Sequence, residues 1–232
     1  MVNILFTDTS QRIKEEYYPS PAEKNIPEWY AKTKNYINDE KTLQESTIKK
    51  CMPVFDAMSA GYLLKLPMDI EIISIGENKG ATTSQSESML FTLSHHTIQQ
   101  APHHPLKKNQ NYFKIDNPWS IKTEPGYSCL FLNPLHRYSG ITILEGVVDT
   151  DKYIYPVNFP FVIDDKFDGT IKAGTPFAQV IPFKRENFTM SIGLLKKEED
   201  PMINMSNILT EALEKNNLGT YKKLWRSRKS YK

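Results

Sequence analysis

The side chains able to do chemistry by themselves cluster in two places. Four histidines, His95-His96 and His103-His104, fall within ten residues. Paired imidazoles can coordinate zinc, nickel or copper. Adjacent residues of a strand point to opposite faces, however, so at most one ring of each pair can face a common centre. No cysteine lies nearby, and Asp116 is the nearest carboxylate in the loop. The His95–His104 segment is therefore read as a solvated or interface loop, and no metal site is assigned to it. The second cluster is the C-terminal tail. Residues 220–232 carry six Lys/Arg and no acid, interleaved with Tyr221, Trp225 and Tyr231. Such a pattern can follow a phosphate backbone while its rings stack on bases. The same residues also fit an amphipathic helix, with Tyr221, Leu224, Trp225 and Arg228 at i, i+3, i+4 and i+7. Docking on a protein through Trp225 competes with nucleic-acid binding through the tail.

The whole chain sets the frame for these clusters. It has 232 residues, 39% of them hydrophobic, and a formal net charge of +2. That suffices for a core and gives no global argument for nucleic acid. Two cysteines, Cys51 and Cys129, without CxxC spacing fit a reducing compartment and no structural zinc. No apolar run reaches the ~18 residues of a membrane span, and the N-terminus lacks the order of a signal peptide. Synthesis in the cytoplasm and no membrane partner are the expectation.

Three regions are expected along the chain. Residues 1–50 form an N-terminal extension. Val2–Phe6 reads as a short strand, and Ser20-Pro21-Ala22-Glu23 has capping-box spacing. A short amphipathic helix is predicted near 27–37, with Trp29, Thr33, Tyr36 and Ile37 on one face and Trp29 as an interaction residue. Residues 51–195 read as a β domain with strands at 62–66, 69–75, 89–93, 127–132, 141–148, 153–163, 177–183 and 189–195. Within it 76–118 is a loop-rich insertion, comprising a flexible tip at 76–88 and an excursion at 94–118. Many short strands with punctuated turns argue for a mainly β barrel or sandwich. Residues 196–232 comprise a charged linker, a helix capped by Ser206 and the basic tail.

Four stretches of the β domain occur in the order used by the trimeric dUTPase/dCTP-deaminase superfamily. Ser59-Ala60-Gly61-Tyr62-Leu63 resembles its first motif and Arg137-Tyr138-Ser139-Gly140-Ile141 its second. Gly146-Val147-Val148-Asp149-Thr150-Asp151-Lys152-Tyr153 resembles the third, and Ala173-Gly174-Thr175-Pro176-Phe177-Ala178-Gln179 opens a stretch similar to the fourth. The resemblance implies a β-clip barrel in which three chains build three shared sites. It also implies roles: Asp149 as the water-activating carboxylate, Arg137, Ser139 and Gln179 as phosphate contacts, Tyr153 against the sugar, and Mg²⁺ shared with the triphosphate. The whole chain further resembles a family of bacteriophage proteins through IKKCMPVFDA, NPWSIKTEPGYSCLF and AGTPFAQVIPFKR.

The sequence departs from the enzyme pattern at specific points. Leu63 stands where the first motif has Asp, Tyr138 is inserted in the second, and Lys152 separates Asp151 from Tyr153. The Gly-rich fifth motif is missing: Gly193 and Gly219 are the only glycines after Gly174. The strand after the third motif, Tyr155–Ile163, contains no carboxylate for a deaminase base. Displacements near an ångström already cost most of a site's catalysis. The expectation is a non-enzymatic phage protein without cofactor. It would be a homotrimeric dUTPase-like β-clip with short helical N- and C-terminal extensions, working as a virion or assembly component beside other phage structural proteins. The alternative is a Mg-dependent, dUTPase-type nucleoside triphosphate pyrophosphatase.

Overall fold

A computed structural model describes residues 2–38, 45–76, 78–83, 92–106, 112–193, 205–207, 220–224 and 226–232. The described chain is mainly β. Its strands are β1 (Ile4–Asp8), β2 (Ser20–Pro21), β3 (Tyr62–Lys65), β4 (Ile70–Ile75), β5 (Asn78–Thr82), β6 (Thr92–His96), β7 (Tyr112–Asp116), β8 (Trp119–Thr123), β9 (Tyr127–Leu132), β10 (Ile141–Ile143), β11 (Gly146–Val148), β12 (Phe159–Ile163), β13 (Gly169–Ile171) and β14 (Pro176–Lys184). They form four sheets, in the orders β1-β8, β10-β12-β7-β6, β11-β9-β14-β3-β2 and β13-β4-β5. Every pairing is antiparallel. Each sheet is open, so the described residues of one chain form no closed barrel.

The chain divides into two compact units, residues 1–26, 58–185 and 231–232 in the first and 27–57 and 186–230 in the second. The first contains the sheets. Its core joins Leu64, Ile70, Ile115, Ile143, Phe159, Phe161, Phe177 and Val180, each fully or almost fully buried. β14 is the axis of the five-stranded sheet, held between β9 and β3. Phe177, Ala178, Gln179 and Val180 are consecutive and all buried, as a strand covered on both faces requires.

Several elements differ from the sequence reading. The tip expected at 76–88 contains β5, paired along β4 from Glu71↔Thr82 to Ile75↔Asn78. Its polar sequence suits an edge strand, and Lys79 is anchored there by Asp168 at 3.0 Å. The excursion expected at 94–118 contains β7, whose Tyr112, Phe113 and Ile115 are buried. Its His-, Asn- and Pro-rich flanks hid a short strand of core residues. The expected strand 153–163 is confined to β12, and 141–148 divides into β10 and β11. Residues 189–193 join no sheet; Leu194 and Leu195 lie outside the described residues. The helix expected after Ser206 is described only at 205–207, which are helical.

The second unit is built on helices. Helix α1 (Glu28–Lys32) stops well short of 37. It buries Tyr30 and leaves Trp29 exposed, so the face drawn through Trp29 is not the packed one. The Tyr30 hydroxyl donates to the Lys49 carbonyl at 3.2 Å, and Lys49 Nζ lies 4.4 Å from the Tyr30 ring centre. Helix α2 (Met52–Ser59), absent from the sequence reading, follows; Met52–Ala57 belong to this unit and Met58 and Ser59 to the first, and Pro53 lies in its first turn, where a missing N–H costs nothing. Phe55 on α2 lies 6.0 Å from Tyr30, ring to ring. Near the C-terminus the described residues Thr220–Leu224 are helical. Residues 226–232 are not helical, so the longer helix carrying Arg228 does not form, and Trp225 lies outside the described residues. No helix among the described residues is long and apolar enough to cross a membrane.

Candidate functional site

The residues assigned by resemblance fall into two groups within the first unit. One surrounds Gln179. At the corner between α2 and β3, Gly61 adopts φ +66°, and a Cβ there would stand 2.0 Å from the Val180 carbonyl oxygen. Only glycine allows this approach. It sets the Ala60 carbonyl where Gln179 Nε2 donates to it at 2.7 Å. Gln179 Oε1 accepts from the Leu135 N–H at 2.9 Å. The buried amide thus ties the first motif to the turn that opens the second.

Arg137 lies on that same turn. Its guanidinium donates to three backbone carbonyls: Leu135 at 3.0 Å, Asn25 at 2.7 Å and Met58 at 3.1 Å. Burial draws its pKa down to about 10, so it remains a cation at neutral pH. The preceding residue, His136, holds a left-handed φ of 58°. The N-terminal segment covers this corner. Ser20 and Pro21 pair with Leu63 and Tyr62, Ala22 N–H donates to the Gly61 carbonyl at 2.9 Å, and Ala22 is fully buried. Leu63, where the resemblance expects a carboxylate, is a fully buried core residue facing Gln179 in register.

Ser139 turns onto its own loop, its hydroxyl donating to the Ile141 carbonyl at 3.2 Å. The inserted Tyr138 is accommodated outward. Its hydroxyl donates to Asp164 at 3.0 Å, which raises the phenol pKa; the Lys166 N–H first, and then this hydroxyl, lower that of the carboxyl. Ser139 is therefore two residues along the chain from Arg137, but its hydroxyl is engaged on its own loop.

The other group surrounds Asp149. The β14–β9 register sets Phe183 opposite Ser128 and Gln179 opposite Leu132. Four residues of strand amount to roughly 13 Å, so within one chain Asp149 and Gln179 occupy different places. The Ser128 hydroxyl donates to Asp149 Oδ1 at 2.7 Å, and Arg185 Nη1 approaches the same oxygen at 3.3 Å. Arg185 also grips Asp151 with both terminal nitrogens, while the Gly126 N–H donates to Asp151 at 2.8 Å. Arg185 first, then that N–H, hold the Asp151 carboxyl well below the usual range. Tyr153 caps the turn by donating its N–H to the Asp149 carbonyl at 2.8 Å; its ring is exposed and meets Tyr155 edge-on at 5.6 Å.

Arg185 matches no motif position in the sequence. It ends the AGTPFAQVIPFKR stretch, but only the strand register reveals that it returns to the Pro125-Gly126 turn. In the tail the described contacts are those of Arg226, Tyr231 and Lys232. Within the second unit Arg226 Nε donates to both Asp56 oxygens, at 2.9 and 3.0 Å, and its guanidinium lies 5.7 Å from the Phe55 ring. Within the first, Tyr231 packs edge-on to Tyr62 at 5.9 Å, and the Tyr62 hydroxyl donates to the Lys232 carbonyl at 3.3 Å.

Of the four histidines, His95 and His96 are consecutive residues of β6, and His103 and His104 follow in a turn. His95 meets Phe113, His96 contacts Gln100 at 2.8 Å, and His104 meets Tyr112. Among the described residues no group of three or more His, Cys, Asp or Glu side chains is arranged to hold a metal ion. Leu63, buried at the first-motif position, offers no oxygen to a metal ion there. Both cysteines are free, and burial pushes the Cys129 thiol up to about 11. No protein-family model matches the chain, and no curated protein matches it.

Proposed function

We propose that this chain is a non-enzymatic phage protein on a dUTPase-like β-clip scaffold, assembled as a homotrimer and acting as a virion or assembly component. The observation that carries this reading is the use made of Arg137 and Gln179. A triphosphate site needs such groups turned toward the ligand. Here the guanidinium binds three of the chain's own carbonyls and the amide is satisfied at both ends. Freeing either would leave part-buried backbone groups without these partners, at about 1–3 kcal/mol each. The former phosphate-binding positions thus work as braces, and the N-terminal segment takes the space beside them.

The same reading assigns no cofactor and treats the exposed Trp29 and the basic tail as contacts to other subunits or phage structural proteins. The protein would be made in the host cytoplasm and carried into the particle. Two measurements test this. Mass spectrometry of purified virions should find the chain at stoichiometric level, and sedimentation of the purified protein should show three copies of the 26.8 kDa chain. Absence from virions together with a monomer in solution would remove the proposal.

A further inference from the structure

The three-stranded and four-stranded sheets each end on an outer strand, β5 in one and β6 in the other. Among the described strands β5 bonds only to β4 and β6 only to β7. Both border one cleft of about 440 Å³. Its lining takes consecutive residues from each strand, 78–81 and 93–95. Neighbouring side chains of a strand point to opposite faces, so a run of consecutive residues means that the cleft meets each strand along its edge. The N–H and C=O groups of an antiparallel strand point alternately to its two sides. Those on the outer sides of β5 and β6 therefore face the cleft with no strand to bond.

Between the edges the lining is apolar. The Phe113 ring meets Phe161 at 5.7 Å and His95 at 5.4 Å, which fixes it in place. Leu93 and Ala81 pack against the same core. Gly80 puts no side chain on the β5 wall, where a Cβ would stand 2.9 Å from Ile75 Cδ1. Lys79, the one lysine of the lining, is committed to Ser74 at 2.8 Å and to Asp168 at 3.0 Å. No carboxylate is among the lining residues described. The cleft thus sets an aromatic floor between two rows of unpaired main-chain groups, with its lysine already neutralised.

These features select a ligand that brings amide groups of its own. A purely apolar molecule would cover the floor and leave both edges unpaired, and a charged segment would find no counter-charge. A residue of a packed strand takes up about 3.3 × 4.8 × 10 Å, roughly 160 Å³, so the cleft holds about three. We infer that the cleft binds an uncharged, extended segment of another polypeptide. Its main chain bonds to the β5 and β6 edges, and one aromatic or branched apolar side chain rests on Phe113. This is strand addition, with an open edge on either side of the guest. It requires only the fold of the first unit, so it stands or falls independently of the homotrimer reading.

The test uses the full-length protein and a blocked tripeptide, acetyl-Thr-X-Thr-amide, in which X is the photoreactive p-benzoylphenylalanine. After irradiation, cross-links located by tandem mass spectrometry should fall on residues 75–81, 93–95 or Phe113. Acetyl-Thr-Phe-Thr-amide should compete with the probe. The same peptide methylated on its backbone nitrogens keeps the ring and loses the main-chain donors, so it should need at least tenfold more to compete. A peptide with Glu in place of the central Phe should not compete. His95→Ala, at an exposed position against Phe113, should reduce labelling at least threefold with an unchanged thermal melt. Labelling that is absent at millimolar probe or falls only elsewhere overturns the inference. Equal competition by the methylated peptide also overturns it, because the edges would then contribute nothing.

Discussion

Replacing Gln179 by methionine separates a brace from a ligand-binding residue. Methionine keeps the length and nearly the volume of glutamine, so packing around β14 changes little. It removes one donor and one acceptor in a buried position. The Leu135 N–H and the Ala60 carbonyl, now bonded at 2.9 and 2.7 Å, lose these partners. At about 1–3 kcal/mol for each of the two polar groups left unsatisfied, the expected loss is about 2–6 kcal/mol. With a urea m-value of about 2–3 kcal/mol per M, the unfolding midpoint should fall by about 1 M or more without a change in slope. Urea titration followed by tryptophan fluorescence and circular dichroism reads this directly. A midpoint within about 0.2 M of wild type would refute the reasoning, because a side chain held for an absent nucleotide can be lost without cost to the fold.

Three further outcomes follow from the same contacts. Asp151→Asn should lower stability at pH 6; because the folded carboxyl titrates below its unfolded value of about 3.9, the deficit against wild type should shrink as pH falls below about 4, as thermal melts across pH 2–7 would show. Gly61→Ala should cost at least about 2 kcal/mol, since both the positive φ and the Val180 carbonyl oppose a Cβ, and denaturant melts of soluble variant give the number. Asp56→Asn should loosen Arg226 and speed tryptic cleavage at Arg226, Arg228 and Lys229, measured by timed digestion and intact mass.

The sheet that carries the candidate site was the legible part of the sequence. Tyr127–Leu132 and 177–183 coincide with strands within a residue or two, because central strands made of apolar residues announce themselves without tertiary context. β5 and β7 were not legible: one is an edge whose polar residues need no burial, the other five residues between polar flanks. Helix α2 was missed because MPVFDAMS, with Pro53 and Val54, has a weak local preference that packing overrides. For the site, the residues were legible and their employment was not. The motif positions of Arg137 and Gln179 imply phosphate contacts. Which carbonyls they meet depends on the N-terminal segment folding back over Gly61, a long-range event with no local signature. Arg185 escaped for a similar reason, since its partners Asp149 and Asp151 are more than thirty residues away and are reached only through the β14–β9 register.

Nucleotide turnover tests the central claim most directly. The purified protein, with Mg²⁺ and each deoxynucleoside triphosphate including dUTP, is assayed for pyrophosphate release beside Asp149→Asn. Ordinary enzymes turn over at about 10 per second. The braced arrangement of Arg137 and Gln179, with Leu63 buried between β14 and the N-terminal segment, predicts less than about 0.1 per second on that scale and no difference between the two proteins. Faster turnover of any of these nucleotides that is lost in Asp149→Asn would contradict it.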